Sequence, residues 1–313
     1  MEIENKKILI TGASGMVGAA VRSLLPHAFC PTRKELNLLS QKDVESYFNA
    51  HSFDAVIHLA AKVGGVQANT KYVADFYAEN ILMNTNVLRS SVDSKVKKVV
   101  SLLSTCVYPD NPQYPLTEDQ LHSGPPHSSN YGYAYAKRML EVQSRTLQEQ
   151  HGLNFICAIP NNLYGENDNF DLENGHVIPA LMRRIWEAKL AGRDSVVAWG
   201  DGTPRREFTY SKDIAEILVF LLQEYDKRPA INIGSTEECS IREVAEAIKS
   251  NLGFTGQIIW DSHKPSGQFR KPSSNELLIS SGWDKDKYTP LKNGLKKACK
   301  WFMINYPHNT RGV

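Results

Sequence analysis

Short apolar runs punctuate the first half of the chain, each closing at a turn residue and leading into a stretch with helical spacing. Ile8-Leu9-Ile10 is the first, and it predicts a buried strand over Lys7 to Thr11 that stops at a glycine turn. Similar runs predict strands over Ala28 to Pro31, Asp54 to Ala61, Lys97 to Leu103 and Asn154 to Ile159. Between them, apolar positions return every three or four residues. That spacing predicts helices up to Leu25, over Lys42 to Ala50, over Lys71 to Val92 and from the Tyr133 region to Gln150. The alternation of strand and helix predicts an α/β fold, a doubly wound parallel sheet with helices on both faces.

The pattern changes after Gly165. Asn167 to Gly175 is polar, and His176-Val177-Ile178-Pro179 opens a helix to Leu190. Strands are expected over Val196 to Trp199, Ala230 to Ile233 and Gln257 to Trp260. Helices are expected over Ser211 to Glu224, Ile241 to Asn251 with Ser240 as cap, and Leu291 to Asn305. Residues 1–165 should form one portion, with segments near 205–235 returning to it. Residues 166–313 should form a smaller, mixed α/β portion that completes a site on the carboxyl edge of the sheet.

Composition narrows the class. The 313 residues are 42% hydrophobic and 22% charged, as in a globular protein with a large core. A formal net charge of +2 gives no reason to expect nucleic acid or a membrane surface as partner. No apolar run approaches the ~20 residues that span a bilayer. Met1 to Lys7 is polar and charged, so no secretory signal is expected. Five scattered cysteines fit a reducing, cytoplasmic setting better than a disulfide framework. The nine histidines lack metal-ligand spacing, so no metal is expected.

Two stretches carry chemistry. In Gly12-Ala13-Ser14-Gly15-Met16-Val17-Gly18 the glycines fall every third residue, between a strand and a helix. Gly12 permits the turn, Gly15 lets a diphosphate approach the backbone, and Gly18 lets the helix pack on the sheet. This predicts a Rossmann-type dinucleotide site. The second strand then runs into Thr32-Arg33-Lys34, where enzymes using NAD carry an acid. A guanidinium there suits a 2′-phosphate, so Arg33 predicts NADP, although Glu35 stands close by. The end of the third strand, Ala60-Ala61-Lys62, should reach the same edge. Further on, Tyr133 and Lys137 are four apart, on one face of a helix. A fixed ammonium lowers the pKa of a nearby phenol, so Tyr133 can serve as a general acid.

With Ser104 added, the chain resembles the extended short-chain dehydrogenase/reductases. Longer stretches are similar to the GDP-L-fucose synthase family within them. These are residues 58–65, Ser-Thr-Cys-Val-Tyr-Pro at 104–109, Asn-Leu-Tyr-Gly-Glu-Asn-Asp-Asn-Phe at 162–170, Gly-His-Val-Ile-Pro at 175–179, and residues 199–208. The resemblance implies 3,5-epimerisation of GDP-4-keto-6-deoxy-D-mannose followed by reduction of its C4 ketone with NADPH. It implies Tyr133 as proton donor to the C4 oxygen, Lys137 as its support, Ser104 as a hydrogen-bond donor to that oxygen, and Cys106 with His176 as the epimerisation pair. It implies cofactor contacts at Leu36-Asn37-Leu38, Leu102-Leu103-Ser104, Pro160-Asn161-Asn162-Leu163 and His176, besides those above. Arg184, Trp199, Arg206, Ser266 and Lys271 should contact the substrate, and a homodimer built on the helices over Lys71 to Val92 and Tyr133 to Gln150 is expected. Ser266 stands where the family commonly has Asp, and Ala13-Ser14 where some members carry a basic residue.

The assignment is chemically coherent. A C4 ketone acidifies the protons on C3 and C5, so one thiol and one imidazole can serve both centres near pH 7. The alternatives are another nucleotide-sugar epimerase or dehydratase, or a catalytically inactive NADP-binding regulator.

Overall fold

The computed structural model of the chain describes residues 2–227, 230–263 and 269–313. The central sheet uses β1 (Ile8–Thr11), β2 (Ala55–His58), β3 (Lys98–Leu102), β4 (Asn154–Pro160) and, from late in the chain, β8 (Ala230–Ile233). All pair in parallel, in the order β1-β2-β3-β4-β8. Successive residues of each strand feed opposite faces. Ile8, Ile10, Ile57, Ile156 and Ile231 face α1 (Met16–Leu24) and α7 (Ser211–Glu224). Leu9, Val56, Val99 and Phe155 face α2 (Gln41–His51), α4 (Val73–Asp93) and α5 (Tyr131–His151). Burial on both faces is why these strands read as unbroken apolar runs. No described helix is long and apolar enough to cross a membrane.

A third apolar cluster lies in the second half. It is built from α6 (Val177–Leu190), α8 (Ile241–Leu252) and α10 (Leu291–Asn305) around β7 (Arg205–Tyr210). There β5 (Asn162–Tyr164), β7 and β9 (Glu238–Ser240) form one small sheet, and β6 (Ser195–Trp199) and β10 (Gln257–Asp261) another. A buried Glu207 ties the halves together. Its carboxylate accepts from Ser273 N at 2.9 Å, Ser273 Oγ at 2.5 Å and Asn161 Nδ2 at 3.3 Å.

The strand expected over Ala28 to Pro31 is reduced to Phe29, which bridges Leu9 on the outer edge of β1. Phe29 exchanges two 2.8 Å hydrogen bonds with Ile8 and Ile10, and Pro31 has no N–H with which to extend the ladder. The helix expected over Lys71 to Val92 is α4, and a further short helix, α3 (Val66–Lys71), precedes it, separated because Tyr72 leaves helical geometry at φ −115 and ψ 43. The short β5, β9 and α9 (Glu276–Ser280) were not expected; three to five residues carry too little periodicity. Ser240 caps α8 in a reciprocal capping box with Glu243.

The tightest backbone approach lies at the glycine turn. A Cβ on Gly18 would sit 2.2 Å from Gly12 O and 2.7 Å from Ala13 Cα. Gly18→Ala should therefore cost about 1–3 kcal/mol in overpacking, measured as a fall in the urea midpoint. A midpoint equal to that of the parent chain would show that the turn can yield.

Candidate functional site

After β1 the chain passes to Phe29 on one side, then returns through α2 to β2 on the other. Open α/β sheets bind ligands at the carboxyl edge of such a reversal. Polar side chains pin this one. Thr11 Oγ1 lies 2.8 Å from His58 Nδ1, and His58 Nε2 lies 3.0 Å from Asn84 Oδ1. Burial, then the charge of Lys137, pushes the His58 pKa down to about 4, so the ring is neutral. Its Nε2–H donates to Asn84, and its Nδ1 accepts from the Thr11 hydroxyl. The Thr11 oxygen in turn takes the amides of Leu59 and Ala60 at 3.2 and 3.3 Å.

A cleft of ≈ 820 Å³ opens at this edge. Its wall brings together Gly12, Ser14 to Gly18, Arg33, Leu36 to Leu38, Ala60 to Lys62, Leu102 to Ser104, Tyr133, Pro160 to Leu163 and His176. Ala13 and Lys137 are the exceptions to the expected set: Ala13, at 3% exposure, belongs to the core between α1 and the sheet, and Lys137 is buried behind the lining. Gly15 is the N-cap of α1 with no side-chain cap, which leaves helix amides open. A Cβ on Gly15 would meet only Gly12 O at 3.4 Å and Arg311 Nη1 at 3.9 Å. The cradle thus fits a diphosphate over the helix N-terminus. Glu35 accepts from Thr32 N at 2.7 Å, so the acid near Arg33 is committed to its own loop.

Ser104 caps the turn Thr105–Val107, its Oγ accepting from Cys106 N at 3.4 Å. The buried Arg138 donates to Val107 O and fixes that turn to α5. From the same helix, Lys137 Nζ lies 5.9 Å from the Tyr133 ring centroid and donates to Leu102 O at 2.6 Å. Lys137 is 2% exposed, and burial pushes its pKa down to about 8. Tyr133 moves opposite to expectation: burial, and then the charge of Cys106, pushes its phenol up. The ammonium is committed to Leu102 O, and the cost of desolvating a phenolate is the larger effect. Tyr133 accordingly keeps its proton at neutral pH.

Cys106 is not among the residues that line the cleft, and its amide donates to the Ser104 hydroxyl. Burial pushes its thiol up, while the Ser104 hydrogen bond and the ammonium groups of Lys271 and Lys137 pull it down. His176 is the N-cap of α6, with its side chain reachable from the cleft. Protein packed around it, and then the charge of Arg311, lowers its pKa.

Arg184, Trp199, Arg206 and Lys271 stand outside the dinucleotide cleft, in the second half of the chain. The Arg184 guanidinium stacks 4.7 Å from the Trp199 ring centroid. Arg206 donates to Arg205 O at 2.7 Å and Phe269 O at 3.3 Å. Burial lowers the pKa of Lys271, and its charge is felt at Cys106. Ser266 lies outside the described residues.

Sequence reading missed Arg138, Asp168 and Arg311. Arg138 follows Lys137 directly, and a helix neighbour gives no sign of reaching back to Val107. Asp168 sits in a polar stretch that reads as loop, yet it is buried and lines the cleft. Arg311 is two residues from the last position and lines the same cleft.

Residues 8–234 match the model of the NAD dependent epimerase/dehydratase family. The chain is 39% identical over 310 residues to a GDP-L-fucose synthase of Dictyostelium discoideum, covering 96% of each. It is 42% identical over 313 residues to GDP-L-fucose synthase 1 of Arabidopsis thaliana, covering 97% of this chain and 95% of that one. It superposes on the crystal structure of a GDP-L-fucose synthetase from Naegleria fowleri bound to NADP with a TM-score of 0.93. That pair is 37% identical, over 100% of this chain and 96% of the other.

Asp168 generates a pH prediction. Burial raises its pKa from 3.8 to about 7, against the pull of Asn169 N and Arg311. Below about pH 4 the carboxyl is protonated whether folded or not. From there to about pH 7 the unfolded chain ionises first, so stability falls as pH rises, and above it the penalty is complete. Asp168→Asn should stabilise the chain by up to about 4 kcal/mol at pH 8, and by less at pH 5. Urea midpoints at the two pH values measure this; an equal gain at both would show that the carboxyl does not titrate as described.

Proposed function

The chain belongs to the NAD dependent epimerase/dehydratase family and, within it, to the GDP-L-fucose synthases, and from that premise we propose that it converts GDP-4-keto-6-deoxy-D-mannose to GDP-L-fucose by 3,5-epimerisation and NADPH-dependent 4-reduction. The observation that carries this reading is that Ser104, Tyr133 and His176 line one cleft, with the amide of Cys106 bonded to Ser104 Oγ. Gly12 to Gly18 would hold the cofactor diphosphate and Arg33 its ribose phosphate. When bound, NADPH supplies the reducing equivalents for C4.

The residues divide the proton work. Cys106 removes the proton at C3 or C5 as thiolate, a form that the ammonium groups of Lys137 and Lys271 favour. His176 delivers a proton from the other face; a lowered pKa makes its imidazolium a ready donor. Thiolate with imidazolium carries the same number of protons as the resting thiol with neutral imidazole, so the active pair needs no added charge. Ser104 and Tyr133 donate hydrogen bonds to the C4 oxygen while it carries enolate charge. In the reduction, Tyr133 gives its proton to that oxygen. The raised phenol pKa keeps Tyr133 protonated, so it has a proton to give as that oxygen gains alkoxide charge. Lys137 holds Tyr133 and the end of β3 in register through Leu102. Arg184, Trp199, Arg206 and Lys271 are proposed to bind the nucleotide-sugar, with Ser266 in the place of the family's Asp.

We also propose that residues 1–165, with 205–235, serve the cofactor, and the remainder of 166–313 the sugar. The apolar clusters on the two faces of the central sheet and the third around β7 support this division. A homodimer through α4 and α5 is supported by exposed Tyr77, Leu82 and Tyr131. A cytoplasmic setting is supported by five unpaired cysteines.

NADPH oxidation with the GDP-, UDP- and dTDP-linked 4-keto-6-deoxyhexoses tests the reading, and only the GDP sugar should turn over. Tyr133→Phe should keep cofactor binding and lose a factor of about 10² or more in oxidation rate; near-normal turnover would remove Tyr133 from the mechanism. Cys106→Ala should abolish solvent-deuterium incorporation at C3 and C5 when NADPH is omitted. Full incorporation at both carbons would return Cys106 to a packing role.

A further inference from the structure

The last residues of the chain return to the dinucleotide cleft. Asn169 and Arg311 form a parallel bridge, with Phe170 N donating to Arg311 O at 2.8 Å. Arg183 Nη1 donates to Gly312 O at 2.6 Å. Gly312 takes φ +83, and a Cβ there would lie 2.2 Å from the Asn169 side-chain Oδ1 and 2.7 Å from Asp171 N, so close contact with that loop sets the path of the tail. That path brings the Arg311 guanidinium to the glycine turn. Its Nη1 is 3.9 Å from where a Gly15 Cβ would stand, over the uncapped start of α1. The guanidinium makes no hydrogen bond or ion pair among the described residues. Asp168 lines the same cleft, 4% exposed, with Oδ2 lacking a partner. A cation without a hydrogen bond, a buried carboxyl whose Oδ1 accepts from Asn169 N at 2.7 Å while Oδ2 has no partner, and open helix amides therefore meet along one cleft.

The turn itself brings no positive side chain, since Ala13, Ser14, Met16 and Val17 are the residues between its glycines. Helix amides compensate part of a diphosphate's charge. Arg33 stands after the Phe29 edge, where the adenosine ribose of a dinucleotide lies. We propose that Arg311 is the cationic ligand of the cofactor diphosphate, so that the C-terminal tail completes the dinucleotide site. This rests on reading the cleft as a dinucleotide site. It gives the tail a reason to be held by Asn169, Phe170 and Arg183, and it joins the cofactor site to the segment that leads into His176.

The test separates the two phosphate groups. NADPH carries both the diphosphate and the 2′-phosphate, whereas 2′-AMP carries the 2′-phosphate alone. Affinities of both are measured by calorimetry or fluorescence titration on the full chain, as parent, Arg311→Ala, Arg311→Lys and Arg33→Ala. Arg311→Ala should weaken NADPH by about tenfold to a hundredfold and leave 2′-AMP within about twofold. Arg311→Lys should recover part of the loss because it keeps the charge. Arg33→Ala should weaken both ligands. Unchanged NADPH affinity in Arg311→Ala would overturn the proposal. Equal loss of both ligands would also overturn it, since that marks a tail acting through the fold. If the parent chain bound neither ligand, the dinucleotide reading itself would fail, a result distinct from any difference between variants.

Discussion

Everything at the active edge depends on one steric constraint, the backbone contact between the start of α1 and the glycine turn. Gly12 sits at φ +73 with no room for a Cβ against Ala60 N at 2.7 Å, and Gly18 has none against Gly12 O. Two missing side chains thus let the turn close onto the end of β2, the first helix close onto the turn, and the helix amides stay exposed. The Thr11–His58–Asn84 chain then fixes β1 to β2 by hydrogen bonds that only a neutral His58 can make in that sense.

Desolvation dominates the electrostatics of the catalytic edge. It moves Tyr133 and Cys106 up and Lys137, His176 and Lys271 down, each toward its uncharged form. The thiol, phenol and imidazole therefore rest uncharged near pH 7, whereas Lys137, at about 8, is still an ammonium. The ammonium groups of Lys137 and Lys271 matter because they resist this drift at Cys106, the thiol proposed to act as base.

The two halves are joined through polar groups rather than through one continuous apolar core. Glu207 gathers Asn161 from the end of β4 and Ser273 from the far loop. The Asp168 to His176 segment is held by the tail on one side and by Gly65 N donating to Asn174 O at 2.9 Å on the other. That segment leads into His176, which lines the same cleft as Ser104 and Tyr133.

The sequence by itself determined the repeating strand-and-helix order, the glycine turn, the spacing of Tyr133 and Lys137, and the tight Ser104 to Cys106 link. Each is a local pattern: two faces of burial make an apolar run, one helical turn brings residues four apart together, and close approach demands glycine. The reduction of the second strand to Phe29 was not legible, because ladder length depends on which N–H groups meet a partner. Nor was the direction of the Tyr133 shift, since proximity of Lys137 in sequence does not say where its ammonium points or how dry the phenol is. Asp168 and Arg311, 143 positions apart in a 313-residue chain, share the cleft only because the tail pairs with Asn169. Contacts of that length, and the desolvation they produce, exist only once the whole chain has folded, and so the tertiary structure alone decided them.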